Sequence, residues 1–339
     1  MLTDTSPAED PLPKGGAISF LRPHRTKRRP TVGPTKRRRA VSPEPLRRLL
    51  FRHVRPGQLA YDARRLLILV PLMLRNLFTK TSITDPDSGV VVSMTTRRVR
   101  ARTTFFAIES IARGLQKPCR VILWVDDLSL FSALPWSLRR LAKRGLEIKM
   151  CDNFGPHTKY FPYVMTNEEL QQPLVTADDD FLYPKDWLLG LVTAFHDHPS
   201  DVHCYTAQVI NMDRTGQIAP YVSWQYSKSQ CPSILNFANG SSGVLYPPAV
   251  LRALKTEGSG FMDCCPTADD IWLHRTTIRT GARVQQVCPS SPSFYMIPAT
   301  QRHNLVSLNI EGGQNDVQIL ATYEHKDLVL LYDAHSKLL

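Results

Sequence analysis

From Gly89 onward, unbroken apolar runs alternate with stretches in which apolar residues recur at helical spacing. Val90-Val91-Val92-Ser93-Met94 reads as a strand covered on both faces, because buried parallel strands show continuous apolar residues rather than alternation. From about Thr103 to Leu115, Phe105, Phe106, Ile108, Ile111 and Ala112 share one helical face. Val121-Ile122-Leu123-Trp124-Val125 is a second buried strand, ending in Asp126-Asp127. A helix from Pro135 to Arg144 opens with proline near its first turn and leads to a third strand, Leu146 to Met150. Strand, helix, strand, helix, strand predicts a doubly wound α/β domain with a mostly parallel central sheet flanked by helices. Ligands of such sheets sit beyond the carboxyl ends of the strands, where Thr95, Arg97, Asp126, Asp127 and Asp152 fall.

A further apolar run, Pro173 to Ala177, leads straight into Asp178-Asp179-Asp180. Three adjacent carboxylates repel one another unless a cation sits among them. Continued as a strand, the run would deliver Asp178 and Asp180 to one side and Asp179 to the other. Two hard oxygen ligands facing one cavity suit Mg²⁺ or Mn²⁺, with substrate phosphates completing the shell. The plainer alternative is a solvated acidic turn before the helix that begins near Lys185.

Charge changes the picture at the amino-terminal end. Residues 1–80 hold 18 Lys and Arg against 5 Asp and Glu, net +13, and the rest of the chain holds 24 against 25. Residues 1–43 read as a disordered basic tail, too poor in apolar residues to offset the entropy of ordering. Runs such as Lys36-Arg37-Arg38-Arg39 suit an anionic membrane surface or a merely solvated extension. With Phe20 the only aromatic residue among these charges, no specific nucleic-acid partner is expected. Residues 44–82 read as a helical accessory segment in which Leu66 to Leu74 is apolar but short and interrupted by Pro71. It falls below the roughly 20 residues of a membrane span, leaving either packing on the domain or residence in a membrane interface. The first residues are acidic and proline-rich, unlike a secretory signal. Seven cysteines without metal-type spacing, apart from adjacent Cys264-Cys265, fit buried thiols in a reducing compartment. The expected location is the cytoplasm, peripheral at the inner membrane face.

No Gly-x-Gly-x-x-Gly follows the first strand, and no Gly-x4-Gly-Lys-Ser/Thr occurs. Dinucleotide enzymes and P-loop ATPases are therefore disfavoured. Six pieces instead occur in a fixed order: Val90 to Thr96, Ile122 to Asp127, Gly155-Pro156-His157-Thr158-Lys159, the acidic triplet, Asn239 to Pro248, and Ala268-Asp269-Asp270-Ile271-Trp272-Leu273. In this order the chain, from about Gly89 to Leu320, resembles nucleotide-sugar glycosyltransferases of the GT-A fold. It is similar to family 2 and to bacterial polysaccharide-building members.

The resemblance implies a single Rossmann-type GT-A domain over residues 83–339 and a Mn²⁺ or Mg²⁺ cofactor. It gives Asp178 and Asp180 the roles of the DxD pair, the first toward the ribose and metal, the second on the metal that bridges the donor diphosphate. Thr95, Arg97, Asp127, Lys159 and Asp179 are implied around the nucleotide sugar. Gly243, in the Asn239–Gly243 loop, would let backbone N–H groups approach a sugar or phosphate, unless the loop is only a turn before a strand. Family 2 has Glu-Asp-x-x-Leu where this chain has Asp269-Asp270-Ile271-Trp272-Leu273, so Asp270 is the implied catalytic base and Asp269 its shortened neighbour. The alternative for this acid pair is a helix N-terminus favoured by the macrodipole. His303 is a candidate further ligand, His196 and His198 a solvated helix end, and Asn309, Asn315 and Asp316 either a closing acceptor-side loop or a plain surface loop. Trp224, Tyr226, Tyr246 and Trp272 are candidates for sugar stacking, with core packing the commoner use of such residues.

The implied activity is inverting transfer of a sugar from a uridine-linked donor to a polysaccharide or lipid-linked acceptor. A retaining or phosphosugar transferase on the same fold, and a non-enzymatic glycan- or nucleic-acid-binding protein, remain open alternatives.

Overall fold

Alternate residues of the apolar runs go to opposite faces of one sheet. In β1 (Val91–Thr96) Val91 joins one core while Val92 and Met94 join the other; in β2 (Arg120–Val125) Ile122 and Trp124 face the first, and Val121, Leu123 and Val125 the second. Each such side chain contributes about 1.5–3 kcal/mol by leaving water. The computed structural model describes residues 56–298, 300, 309–310 and 312–337. The predicted basic tail, the start of the accessory segment and His303 lie outside the described residues.

The remaining strands are β3 (Leu146–Met150), β4 (Leu174–Ala177), β5 (Phe181–Leu182), β6 (Val202–Cys204), β7 (Ala207–Val209), β8 (Gln225–Tyr226), β9 (Asn236–Ala238), β10 (Val244–Tyr246), β11 (Val284–Gln286) and β12 (Tyr295–Met296). Seven of them form the central sheet in the order β11-β6-β10-β4-β1-β2-β3. All its pairings are parallel except those of β10, which runs antiparallel to β4 and to β6. The expected mostly parallel α/β sheet is thus observed, with helices such as Thr104–Ala112 and Pro248–Glu257 covering its two faces. Two small sheets, β12-β5 and β8-β7-β9, stand beside it.

The helix Pro56–Phe78 runs through Pro71, where the sequence predicts an interruption. Proline there removes one i→i−4 hydrogen bond, while Leu69 and Leu72, buried on either side of it, hold both halves against the domain. At its end the fully buried Glu109 receives Arg144 on both oxygens, Arg75 at 3.2 Å and Asn76 Nδ2 at 3.1 Å. That cluster satisfies a carboxylate that would otherwise be costly to bury. Among the described residues no helix is long and apolar enough to cross a membrane. The expectation of buried thiols holds for Cys204 and Cys265, but Cys231 is exposed.

Candidate active site

The acidic triplet does not continue its strand. β4 ends at Ala177, and Asp179 and Asp180 form a turn, so the predicted alternation of side chains is replaced by a different division. Asp179 and Asp180 share one cation: Arg100 Nη1 lies 3.0 Å from Asp179 Oδ1 and 3.0 Å from Asp180 Oδ2. Asp178 turns to another, with Lys159 Nζ donating to its Oδ1 at 2.9 Å. The backbone N–H of Asp178 is held by the Tyr183 hydroxyl at 2.7 Å. The repulsion among three adjacent carboxylates is relieved by two basic side chains of this chain.

Asp179 is tied to the sheet edge by two threonines. Its Oδ2 accepts from Thr96 Oγ1 at 2.6 Å at the end of β1, and from Thr104 Oγ1 at 3.5 Å where the next helix begins. Burial raises its pKa although Arg100 opposes the shift. Arg100 remains charged because Asp179 and Asp180 outweigh its own desolvation. Sequence reasoning passed over Arg100; its signal was its position just past a buried strand that ends near the ligand edge.

Lys159 joins the two halves of the site. It is only 7% exposed, and besides Asp178 it approaches Asp269 Oδ2 at 3.2 Å. Burial alone would lower its pKa, yet Asp178, Asp269 and Asp270 together raise it well above the ordinary lysine value. The ammonium therefore stays charged. Its position is fixed through His157, a neutral imidazole whose pKa burial depresses to about 3. Nε2 contacts the Cys265 carbonyl at 2.8 Å, which requires the N–H there, so Nδ1 accepts from the Tyr160 hydroxyl at 2.8 Å. The ring stacks on Phe261 at 3.9 Å. His157 thereby ties the Gly155–Lys159 turn to the segment that precedes Asp269.

Asp269 and Asp270 occupy the first turn of the helix Asp269–Arg279. The N–H of Gly240 donates to Asp270 Oδ2 at 3.1 Å, leaving Oδ1 without a hydrogen-bond partner. Desolvation first, and the charge of Asp269 second, push the Asp270 pKa up to about 7. Burial raises Asp269 also, against the pull of Lys159. A helix N-terminus would favour both as anions; burial and mutual repulsion prevail. Thr267, just before this turn, is gripped by Asn309 and Gln318, and Asp316 Oδ1 accepts from the Tyr221 N–H at 2.7 Å.

The loop between β9 and β10 needs glycine twice, for different reasons. At Gly240 a Cβ would lie 2.8 Å from Asp270 Oδ1 and 3.5 Å from Lys159 Nζ, whereas at Gly243, with φ +90°, it would lie 2.5 Å from the Trp187 ring. Gly243→Ala should therefore destabilise the fold by about 1–3 kcal/mol. Gly240→Ala should instead shift the acid and lower any turnover by up to about 10²-fold with little change in melting temperature. Thermal melts and rates on the two variants check this; equal losses of stability would remove the distinction.

Other predicted residues have partners outside this cluster. Asp127 caps the helix Leu128–Ser132, its Oδ1 accepting from the Leu130 N–H at 3.0 Å. Thr95 donates to the Trp124 carbonyl at 3.3 Å, and Arg97 is exposed. Thr95 pairs with Trp124 across the sheet, so Thr95, Arg97 and Asp127 stand at neighbouring strand ends. Trp224, Tyr246 and Trp272 are core residues and Tyr226 is exposed. His196 and His198 are exposed at a helix end. Among the described residues no group of three or more His, Cys, Asp or Glu forms a metal cage.

No protein-family model matches the chain, and no curated protein matches its sequence. Among solved structures it is similar to S. aureus TarS 1-349, at 15% identity and TM-score 0.41, over 73% of this chain and 70% of that one. The same S. aureus protein in complex with UDP-GlcNAc gives TM-score 0.44 at 15% identity, over 73% of this chain and 71% of that one. The mannosyltransferase PcManGT from Pyrobaculum calidifontis, in complex with GDP-Man and Mn²⁺, gives TM-score 0.46 at 15% identity, over 82% of this chain and 78% of that one.

Proposed function

We propose that the chain is a GT-A glycosyltransferase that moves a sugar, with inversion, from a nucleotide donor to a polysaccharide or lipid-linked hydroxyl. The observation that carries the reading is Lys159. Through it, an acid of the triplet and the acid pair of a distant helix, 91 positions further on, share one buried site. Asp270 offers an unpartnered oxygen with a pKa of about 7, well matched to a general base.

In this reading the acceptor O–H gives its proton to Asp270 Oδ1 as its oxygen bonds to the anomeric carbon. The bond from that carbon to the diphosphate breaks on the opposite side, and its electron pair leaves with the phosphate oxygen. Gly240 holds the other oxygen of the base in place, and Asp269 keeps its pKa high. Asp178 and Asp180, with Thr95, Arg97 and Asp127 at the neighbouring strand ends, receive the nucleotide sugar.

A divalent ion fits the charge of this site. The carboxyl groups of Asp178, Asp179, Asp180, Asp269 and Asp270 gather around Lys159 and Arg100, and a diphosphate binding there would bring further negative charge. Asp178 and Asp180 would hold Mn²⁺ or Mg²⁺, the remaining ligands being donor phosphates and water, and the ion would neutralise charge growing on the leaving diphosphate. Calorimetry tests this. Nucleotide-sugar affinity should be lost in chelator and weakened by Asp180→Asn, and unchanged affinity in chelator would contradict the metal assignment.

A further inference from the structure

From Leu66 to Phe78 the helix Pro56–Phe78 has two apolar faces, and the domain covers one of them. Leu69, Leu72 and Asn76 turn inward, while Leu66, Leu67, Val70, Met73, Leu74 and Phe78 are from 42% to 74% exposed. At 100° per residue these outward positions fall within a stripe about 140° wide. Single exposed apolar residues are ordinary, but a continuous stripe marks an interaction surface.

The surrounding charge indicates what the stripe meets. Arg64 is exposed toward the start of the helix and Lys80 just beyond its end. Beside that end Arg140 Nε donates to the Asn76 carbonyl at 2.6 Å, and its guanidinium lies 5.0 Å from the ring centre of Trp136, which is half exposed. The sequence through residue 80 carries 18 basic residues against 5 acidic ones. Apolar side chains with basic flanks and a neighbouring tryptophan match a bilayer with anionic headgroups, the side chains reaching the acyl boundary. A second copy of the chain would set the same positive charge against itself across a two-fold axis. No helix among the described residues is long and apolar enough to cross a membrane.

We propose that the outward face of the helix Pro56–Phe78, from Leu66 to Phe78, is an in-plane docking surface for anionic lipid bilayers. The assignment stands whether or not the catalytic reading holds. The test is co-sedimentation of the full chain with vesicles of phosphatidylcholine alone, or of phosphatidylcholine with about one third phosphatidylglycerol. The comparison variant carries Leu67→Gln, Val70→Gln, Leu74→Gln and Phe78→Gln together, all at exposed positions. The wild type should bind the anionic vesicles, the variant about ten-fold less, and the gap should persist at high salt, where attraction by charge alone is screened. Phe78→Trp should show a blue-shifted emission with the same vesicles, which keeps the idea testable if the multiple variant unfolds. Equal binding by wild type and variant would assign attachment to the basic tail and overturn the proposal. So would absence of wild-type binding, or a concentration-dependent dimer lost in the variant with no vesicle binding.

Discussion

Asp270→Asn is expected to lower turnover roughly 10²–10⁴-fold while donor affinity survives. Asparagine keeps the size of the side chain and can still accept from the Gly240 N–H, but it cannot take a proton from the acceptor hydroxyl. In the wild type kcat/KM should rise as pH passes about 7, the pKa that desolvation and Asp269 give this acid. Stability should move the opposite way. The folded pKa lies above the ordinary 3.8, so folding favours the protonated form, and the stability associated with it is lost as pH climbs from near 3.8 to about 7. Rates and urea melts across that window measure both trends. Near-normal turnover in Asp270→Asn, or loss of donor binding with it, would move the base to Asp269.

Lys159→Met should damage the protein more broadly. It leaves Asp178 and Asp269 without their shared cation in a buried setting, a change that costs about 3–5 kcal/mol when one partner of a buried pair is removed. Lys159 holds down the pKa of both Asp269 and Asp270, so its loss should carry any remaining acid limb to higher pH. The destabilisation should also be relieved in acid, where these carboxylates become protonated. Denaturant melts at two pH values check this. A loss of stability independent of pH would mean that Lys159 contributes packing rather than charge.

Much of this was legible in the chain because the buried strands are continuous apolar runs: β3 coincides with its predicted span, β2 begins one residue earlier than predicted, and β1 begins one residue later and ends two residues later. The acids at strand ends were legible for the same reason. Partnerships were not. That Asp179 and Asp180 would share Arg100 depended on β4 stopping at Ala177, and a strand terminus is set by which neighbour continues the ladder, not by local propensity. Asp127 is an acid at a strand end and also a helix cap, a double use that spacing alone leaves open. Gly240 and Gly243 look alike in sequence, and only Asp270 and Trp187, distant along the chain, tell them apart. Pro71 shows tertiary burial overriding a local preference.

If Asp178, Asp180 and the Lys159-linked acid pair form one sugar-transfer site, the protein should turn over a nucleotide-sugar donor. The full chain would be incubated with a panel of UDP- and GDP-sugars and Mn²⁺, following release of the nucleoside diphosphate. One donor should be consumed, chelator should stop the reaction, and Asp180→Asn and Asp270→Asn should each slow it strongly, only the first by weakening donor binding. Consumption of no donor across the panel, or undiminished release in both variants, would contradict this assignment.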